Sequence, residues 1–403
     1  MVASDSASKD DSSNYSLSLT IIHTTCHREF GGLEKRVYNE SCAMLEKGHR
    51  IVIAAPEYSP LIVKCRKLLN SSVVCIPMEF TAKSAFKDFF TLRQLYIKFK
   101  PDVLNTHGNT DAKIALSAAW NSNIPCTILS RHISADVRPS WYNKILYNRL
   151  CSHVFTTADY TTNHLVSTLG VDPEKIFTLP SGVVPPSEMA DRQIARVDLA
   201  DQLNVNRDSR FIGFVGRVSE DKGVKSIIDA FLSIAEKIPN YHLVIVGGED
   251  NILKGREKLS HSTTFIEQLR KMVNQSGYQN RVHFTGFKED TWQYYRAFDC
   301  NILASKEVEG ISQSLLEAMY ARCPVAGSQV GGTCDIIIDG ETGLLFRPER
   351  IQEIEKAVLQ ILSDKSATTK RIEKAFSMVN EKYTIGSMVK HILNIYQNCK
   401  CQL

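Results

Sequence analysis

Two carboxylates and a glycine lie within one short stretch of the chain. The stretch, residues 309–319, reads EGISQSLLEAM and follows the apolar segment 300–304. Gly310 lets the backbone approach a ligand closely, and the free N–H groups at the start of the following helix attract an anion. Glu309 on the loop and Glu317 on the helix can each accept hydrogen bonds from ligand hydroxyl groups. The stretch therefore predicts a site for an anionic ligand that carries hydroxyl groups.

Glu317 has a second interpretation. Ser314 and Glu317 are three residues apart and match a capping box, in which the glutamate reaches back to the first turn of its helix. Its carboxylate would then serve only the helix end. The sequence leaves both interpretations open.

A second stretch carries positive charge. Residues 213–223 read GFVGRVSEDKG and lead from an apolar run into a helix that begins near residue 224. The Arg217 guanidinium can donate two hydrogen bonds to a diphosphate, and Lys222 adds a mobile positive charge. Glu220 and Asp221 favour a different interpretation, in which they only neutralise these two cations at the surface.

Two glycine turns also precede helices. Gly31 and Gly32 separate the first predicted strand from the first helix, and Gly332 and Thr333 lie in the segment VGGTCD. Such turns allow close contact with a phosphate or a sugar. Neither matches the GxGxxG pattern of dinucleotide-binding proteins.

Histidines follow two neighbouring predicted strands. A single histidine is more often structural, but His107 and His132 at adjacent strand ends indicate that one of them faces a cleft. HExxH, CxxC, GxSxG and P-loop patterns are absent from the sequence, as is a DxD pair at a strand end. We therefore predict that no metal ion and no cofactor take part. Arginine, lysine and helix N-termini would neutralise the anionic ligand instead.

Alternating strands and helices must position these residues. Near-continuous apolar strands separated by helices are typical of a parallel sheet covered on both faces. We predict an α/β fold of two doubly wound, Rossmann-like domains that face each other across a cleft, where the carboxyl ends of their strands meet. The predicted strands are 17–23, 50–55, 73–77, 103–105, 126–130, 154–157 and 176–179 in the first domain, and 211–215, 242–246, 282–284, 301–303, 325–326 and 344–346 in the second.

The length of 403 residues suits this division. We predict a disordered tail over 1–16, an N-terminal domain over 17–184, a linker over 185–209 and a C-terminal domain over 210–384. The tail has no apolar stretch typical of a signal peptide, and no run reaches the roughly 18 apolar residues that span a membrane. A cytoplasmic protein is therefore expected.

Charge and cysteine content exclude some functions. A formal net charge of +4 is too small to indicate nucleic-acid binding. The basic residues of segment 81–100 favour a solvated helix face, and a peripheral contact with an anionic membrane is the alternative. The 11 cysteines lack paired metal-ligand spacing. The CxC pair of Cys399 and Cys401 is interpreted as part of a tail, and metal binding by this pair is the alternative.

Four segments, in this order and spacing, carry a family resemblance. They read GGLE, GRVSEDKG, EGISQSLLEAM and VAGSQVGGTCDIIIDGETGLLF. The chain, from about residue 17 to 395, resembles the retaining GT-B glycosyltransferases of family 4, of the bacterial cell-surface polysaccharide and lipopolysaccharide type. This sequence departs from the family pattern at two places. Asp335 stands where a glutamate is usual, and Ser181–Val184 stands where many relatives have Asn-Gly-Ile-Asp.

The resemblance implies a role for each matching position. Arg217 and Lys222 would bind the donor diphosphate, Glu317 the ribose hydroxyls and Glu309 the hydroxyls of the donor sugar. His132 would lie beside the reacting sugar, and the final helix, 385–403, would return to the N-terminal domain. The remaining donor-binding positions implied are Gly31 and Gly32 beside the phosphates, Gly286 and Phe287 beside the base, and Gly310, Ile311, Ser312, Gly332 and Thr333 through backbone amides.

The implied reaction moves a hexose from a nucleotide-diphosphate sugar, UDP- or GDP-linked, to a glycan or lipid-linked acceptor with retention of configuration. Two alternatives remain open. A nucleotide-sugar epimerase on the same fold would convert the donor without an acceptor. A catalytically silent domain would bind the sugar nucleotide without turnover.

Overall fold

The computed structural model describes residues 18–29, 31–68, 72–132, 137–248, 264–307 and 310–401. Glu309, one of the predicted donor-binding residues, lies outside these ranges, as does the predicted tail. In the described part of the chain, no helix has the length and apolar character needed to cross a membrane.

The first half of the chain forms a seven-stranded parallel sheet in the order β3-β2-β1-β4-β5-β6-β7. The strands are β1 (Thr20–Thr24), β2 (Arg50–Ala55), β3 (Val73–Pro77), β4 (Val103–Thr106), β5 (Cys126–Arg131), β6 (His153–Thr156) and β7 (Ile176–Thr178). The helices between them are α1 (Gly32–Glu46), α2 (Pro60–Arg66), α3 (Ala85–Phe99), α4 (Asn109–Ala119), α5 (Trp141–Ile145) and α6 (Asp159–Leu169).

The second half forms a six-stranded parallel sheet in the order β10-β9-β8-β11-β12-β13. Its strands are β8 (Arg210–Val215), β9 (Tyr241–Val246), β10 (Val282–Gly286), β11 (Cys300–Leu303), β12 (Val325–Ser328) and β13 (Leu344–Phe346). The helices are α7 (Arg192–Leu203), α8 (Val224–Ile234), α9 (Phe265–Gln275), α10 (Trp292–Ala297), α11 (Gln313–Tyr320), α12 (Thr333–Ile336), α13 (Ile351–Ser363), α14 (Lys365–Lys382) and α15 (Ile385–Cys401).

Burial explains why these segments form central strands. Every residue of β4 and of β11 is buried, so helices must cover both faces of each sheet. In α8, the residues Ile227, Ile228 and Phe231 are buried on the side that packs against the second sheet. The prediction of two Rossmann-like α/β domains is confirmed, and their parallel strands direct all the loops after the strands to one edge of each sheet.

The segment predicted as a linker is partly helical. Residues 192–203 form α7, which packs against α10 of the second domain. Arg192 donates to the backbone carbonyl of Phe298, and the guanidinium of Arg196 pairs with Asp299. These contacts make α7 part of the second domain's surface rather than a free connection.

The final helix returns to the first domain. The backbone N–H of Ile385 donates to the carbonyl of Val183 at 2.9 Å, at a crossing point where a Cβ on Gly182 would overlap Ile385. Further along α15, the side chain of Tyr396 bonds Glu40 and Asn105. The interpretation of the CxC pair as tail is wrong, because α15 extends to residue 401 and buries the side chain of Cys399 against the first sheet.

Candidate active site

The positive loop of the second domain lies beside the end of β11. The backbone N–H of Lys306 donates to the carbonyl of Asp221 at 2.8 Å. Gly223 has a φ of +65°, and a Cβ there would overlap the carbonyl oxygen of Ala304. A glycine is therefore required for this approach, which brings loop 216–223 next to the chain that continues towards Gly310.

Arg217 and Lys222 differ in their surroundings. The Arg217 side chain is 44% exposed and donates to Asp221 Oδ2 at 2.9 Å, so the alternative in which an acid neutralises this arginine is realised in part. Lys222 is half-buried and ends a short 3₁₀ turn over Glu220–Lys222. An exposed ion pair of this kind is worth about 0–1 kcal/mol, so an anionic ligand can displace Asp221 at little cost.

Two glycine loops meet at the carboxyl edge of the second sheet. A Cβ on Gly332 would lie 2.8 Å from the carbonyl carbon of Gly310 and from the nitrogen of Ile311. The Thr333 side chain is fully buried, and its Oγ1 has no hydrogen-bond partner among the residues that the structure describes. A buried hydroxyl without a partner is costly, and a ligand seated between the loops would satisfy it.

Ser312 is the N-cap of α11, and its position decides between the two interpretations of Glu317. Its hydroxyl accepts from the backbone N–H of Leu315 at 3.4 Å, so Ser312, and not Ser314, is the N-cap. Glu317 is the fifth residue of α11 and lies beyond the capping turn. The capping-box interpretation of Glu317 is therefore wrong.

Glu317 instead joins the two domains. It is 5% exposed, and its Oε1 accepts from Nζ of Lys35 on α1 at 2.6 Å. The hydroxyl of Tyr295 donates to the other carboxylate oxygen at 3.3 Å. Burial, together with the neighbouring Glu317 charge, raises the pKa of Tyr295 well above its usual value, so the phenol stays protonated and donates. Neither partner could be predicted from the local sequence, because Lys35 lies 282 residues and Tyr295 22 residues from Glu317 along the chain.

The first turn of α1 is open on the side of Gly32. Nothing lies within 4 Å of the position where a Cβ on Gly32 would project. The amide of Gly31 is already used, because it donates to Glu34 Oε2 at 2.8 Å, and the same carboxylate pairs with His27 at 3.0 Å. This hydrogen bond to Glu34 raises the pKa of His27.

Three histidines form a hydrogen-bonded chain under the cleft edge of the first sheet. Nδ1 of His23 lies 2.9 Å from Nε2 of His107, and Nδ1 of His107 lies 2.9 Å from Nε2 of His132. Burial lowers the pKa of His23 to about 3 and those of His107 and His132 well below the usual value. All three rings are therefore neutral at pH 7. The two ends of the chain, Nε2 of His23 and Nδ1 of His132, have no partner among the described residues.

Asp111 fixes the loops that carry these histidines. Its buried carboxylate accepts from the hydroxyl of Thr24 at 2.8 Å and from the backbone N–H groups of Cys26, His107 and Gly108 at 3.2 Å. The loops after β1 and β4 are thus held by one side chain. Sequence reasoning missed Asp111, because its partners are up to 87 residues away in the chain.

The predicted base-binding residues lie at the end of β10, the edge strand of the second sheet. Gly286 has a φ of +72°, and its carbonyl accepts from the backbone N–H of Gly247 at 3.0 Å. The Phe287 ring is 71% exposed. An exposed aromatic ring beside a turn offers a surface on which a flat base can stack.

Two family models match the chain. The model described as Glycosyltransferase Family 4 matches residues 30–185, and the model described as glycosyl transferases group 1 matches residues 196–378. The lipopolysaccharide core biosynthesis mannosyltransferase LpsB of Rhizobium meliloti is 23% identical over 198 residues, which is 49% of this chain and 54% of that protein. The chain spans about half the length of the curated relatives it matches.

Solved structures share the whole architecture. A glycosyltransferase from Rickettsia africae has a TM-score of 0.80 at 16% identity, covering 95% of this chain and 98% of that one. Anabaena HepE in complex with UDP-glucose has a TM-score of 0.74 at 18% identity, covering 94% of this chain and 100% of that one. The chain therefore has the GT-B fold and consists of a glycosyltransferase family 4 domain followed by a glycosyl transferases group 1 domain.

Proposed function

We propose that this protein is a retaining glycosyltransferase that moves a hexose from a nucleotide-diphosphate sugar onto a glycan or a lipid-linked acceptor. The observation that carries the proposal is the contact between Lys35 and Glu317, 2.6 Å across the cleft. It places the first turn of α1 against the helix whose N-terminal loop faces Gly332. A donor in this cleft would have glycine turns of both domains beside it.

The second domain is proposed to hold the donor without a metal ion. Arg217 and Lys222 would neutralise the diphosphate, aided by backbone N–H groups between residues 310 and 312. Thr333 would donate its free hydroxyl to a phosphate oxygen. Glu317 would accept from the ribose hydroxyls after Lys35 moves aside, and Phe287 would stack on the base.

The proposed reaction takes place on one face of the sugar. The bond between the anomeric carbon and the diphosphate oxygen breaks, and the acceptor oxygen bonds to the anomeric carbon from the same side. The acceptor proton passes to the departing diphosphate. Arg217 and Lys222 stabilise the charge that grows on that diphosphate, and neutral His132 contributes a hydrogen bond to the reacting sugar without adding positive charge.

The donor is proposed to be UDP- or GDP-linked. A neighbour with the same fold binds UDP-glucose, and a relative is a mannosyltransferase of lipopolysaccharide core biosynthesis. We extend this to a role in cell-envelope polysaccharide or lipopolysaccharide assembly, in the cytoplasm or at the cytoplasmic face of the membrane.

The test is a panel of UDP-, GDP- and ADP-sugars, each added to the protein in the presence of EDTA. One donor should raise the melting temperature and should release its nucleoside diphosphate when a suitable glycan or lipid acceptor is added. Conversion of the donor to another sugar nucleotide without an acceptor would instead indicate an epimerase. Stabilisation by a donor that is never consumed would indicate a silent binding domain, and turnover that EDTA abolishes would contradict the metal-independent site.

A further inference from the structure

A cluster of two cysteines and a histidine lies away from the cleft. Cys126 is the first residue of β5, and His153 is the first residue of β6. Cys399 lies in the last turn of α15. His132 follows the opposite end of β5, so the cluster and the proposed active site lie at opposite edges of the first sheet.

The three side chains converge. The sulfur atoms of Cys126 and Cys399 are 2.7 Å apart, and Cys399 Sγ lies 3.4 Å from Nδ1 of His153. One ligand atom from each residue lies within 4.8 Å of the other two. Both cysteines are free and buried, and the histidine is half-buried.

We propose that Cys126, His153 and Cys399 bind a divalent ion of the zinc class. Two thiolates and one imidazole form a ligand set that selects Zn²⁺ among the common divalent ions. Tetrahedral zinc, with Zn–S of about 2.3 Å and Zn–N of about 2.0 Å, sets its ligand atoms about 3.5 to 3.8 Å apart. The ion therefore needs the two sulfur atoms to separate by about 1 Å, and each thiol that binds releases its proton to water.

A cavity beside the cluster provides the fourth position. It has a volume of about 220 Å³ and reaches both Cys399 and His153, so a water molecule there can complete the tetrahedron. The cavity lies between α15 and β7. Its remaining lining residues are Phe177, Asn394, Ile395 and Asn398.

A bound ion would fasten α15 to the first domain. Cys126 and His153 belong to the sheet, whereas Cys399 belongs to a helix that arrives from the second domain. The ion would therefore stabilise the return of the chain after the second domain. This inference does not depend on the proposed transfer reaction.

The test is a Co²⁺ titration of the full chain, reduced and freed of metal under anaerobic conditions. We expect one equivalent of Co²⁺ to give thiolate-to-cobalt charge-transfer absorption and tetrahedral ligand-field bands, which Zn²⁺ then removes. Cys399→Ser and His153→Gln should each weaken Co²⁺ binding at least about 10-fold, because each removes one of three protein ligands. The control Cys401→Ser changes an exposed cysteine two residues away and should bind as the wild type does.

Three results would overturn the proposal. One is the absence of charge-transfer absorption, and another is unchanged binding in both variants; His153→Gln decides if Cys399→Ser does not fold. The third is a wild-type protein that, isolated without reductant, shows two titratable thiols fewer than after reduction, while Cys399→Ser shows the same number of thiols before and after reduction. That result would identify a disulfide between Cys126 and Cys399 instead of a metal site.

Discussion

At the scale of single residues, the candidate site is marked by buried polar atoms that the protein leaves unsatisfied. Thr333 Oγ1, His132 Nδ1 and His23 Nε2 have no partner among the described residues. Each such group costs about 1–3 kcal/mol when it is desolvated without a hydrogen bond. We propose that a bound donor supplies the missing hydrogen-bond partners of Thr333 and His132.

Thr333→Val should separate binding from stability. The hydroxyl makes no hydrogen bond in the described structure, so its replacement by a methyl group should leave the melting temperature unchanged or raise it. Donor affinity, measured by calorimetry, should fall about 5- to 10-fold, as expected for one lost hydrogen bond of about 1–1.4 kcal/mol.

Thr342→Val is the matched control. The Thr342 hydroxyl donates to the carbonyl of Ile336 and accepts from the N–H of Ile338, so its loss should destabilise the fold by about 1–2 kcal/mol and leave donor affinity unchanged. Equal donor affinity in Thr333→Val and the wild type would show that the Thr333 hydroxyl does not contact the donor.

The histidine chain predicts how stability depends on pH. Burial lowers the pKa of His107 well below 6.5, so below that pH the unfolded chain binds a proton that the folded chain excludes. Stability should therefore fall as the pH falls from about 6.5 towards 4, by about 1.4 kcal/mol per pH unit for each such histidine. In His107→Gln the unfolded chain takes up about one proton fewer, so this slope should be smaller by about 1.4 kcal/mol per pH unit. Urea unfolding at several pH values measures the slope.

His391→Gln is the same type of exchange at an exposed position on α15, and it controls for the effect of the substitution itself on stability. A His107→Gln variant with an unchanged slope would mean that the ring of His107 is accessible to protons in the folded protein.

At the scale of elements, the local sequence pattern was sufficient to predict the strands but not to predict the contacts between distant elements. Buried parallel strands read as apolar runs, so each strand of the two sheets was predicted within a few residues. The partnership of Lys35 with Glu317, 282 residues apart, has no local signal at all.

Glycine turns at helix starts provide a test at this scale. Gly32→Ala places a methyl group in open space at the first position of α1, so it should raise stability by about 0.5–1 kcal/mol. If a donor phosphate occupies that space, donor affinity and turnover should both fall about 10-fold or more. Melting temperature and donor titration measure the two effects separately.

Gly386→Ala is the corresponding change outside the cleft. Gly386 lies in the first turn of α15, and the nearest atom to its Cβ position is 3.9 Å away. It should raise stability by a similar amount and leave turnover unchanged. Unimpaired turnover in Gly32→Ala would remove the α1 turn from the donor site.

At the scale of the whole molecule, two ion pairs among the described residues join the domains, and they differ in burial. Lys35 pairs with the buried carboxylate of Glu317, whereas Lys64 pairs with Glu289, whose side chain is 80% exposed. A charged hydrogen bond to a buried carboxylate contributes more than an exposed pair of about 0–1 kcal/mol, although the Lys35 side chain is itself 44% exposed. Of these two pairs, that of Lys35 therefore contributes more to the contact between the domains.

Lys35→Met should open the unliganded molecule. Small-angle X-ray scattering should show a larger radius of gyration than in the wild type, and a bound donor should reverse the change because it bridges the same two surfaces. Lys64→Met should leave the radius unchanged, since it removes only the exposed pair. Identical scattering from Lys35→Met and the wild type would show that other contacts hold the domains together.

The central claim is that positive side chains and amide groups, rather than a divalent ion, stabilise the departing diphosphate. Its most direct test is single-turnover transfer in EDTA by Arg217→Ala, with Arg207→Ala as the control, because Arg207 is also an exposed arginine paired with an aspartate. We predict a loss of rate of about 100-fold in Arg217→Ala, with donor affinity within a few-fold of the wild type. A rate within a few-fold of the wild type would contradict the account.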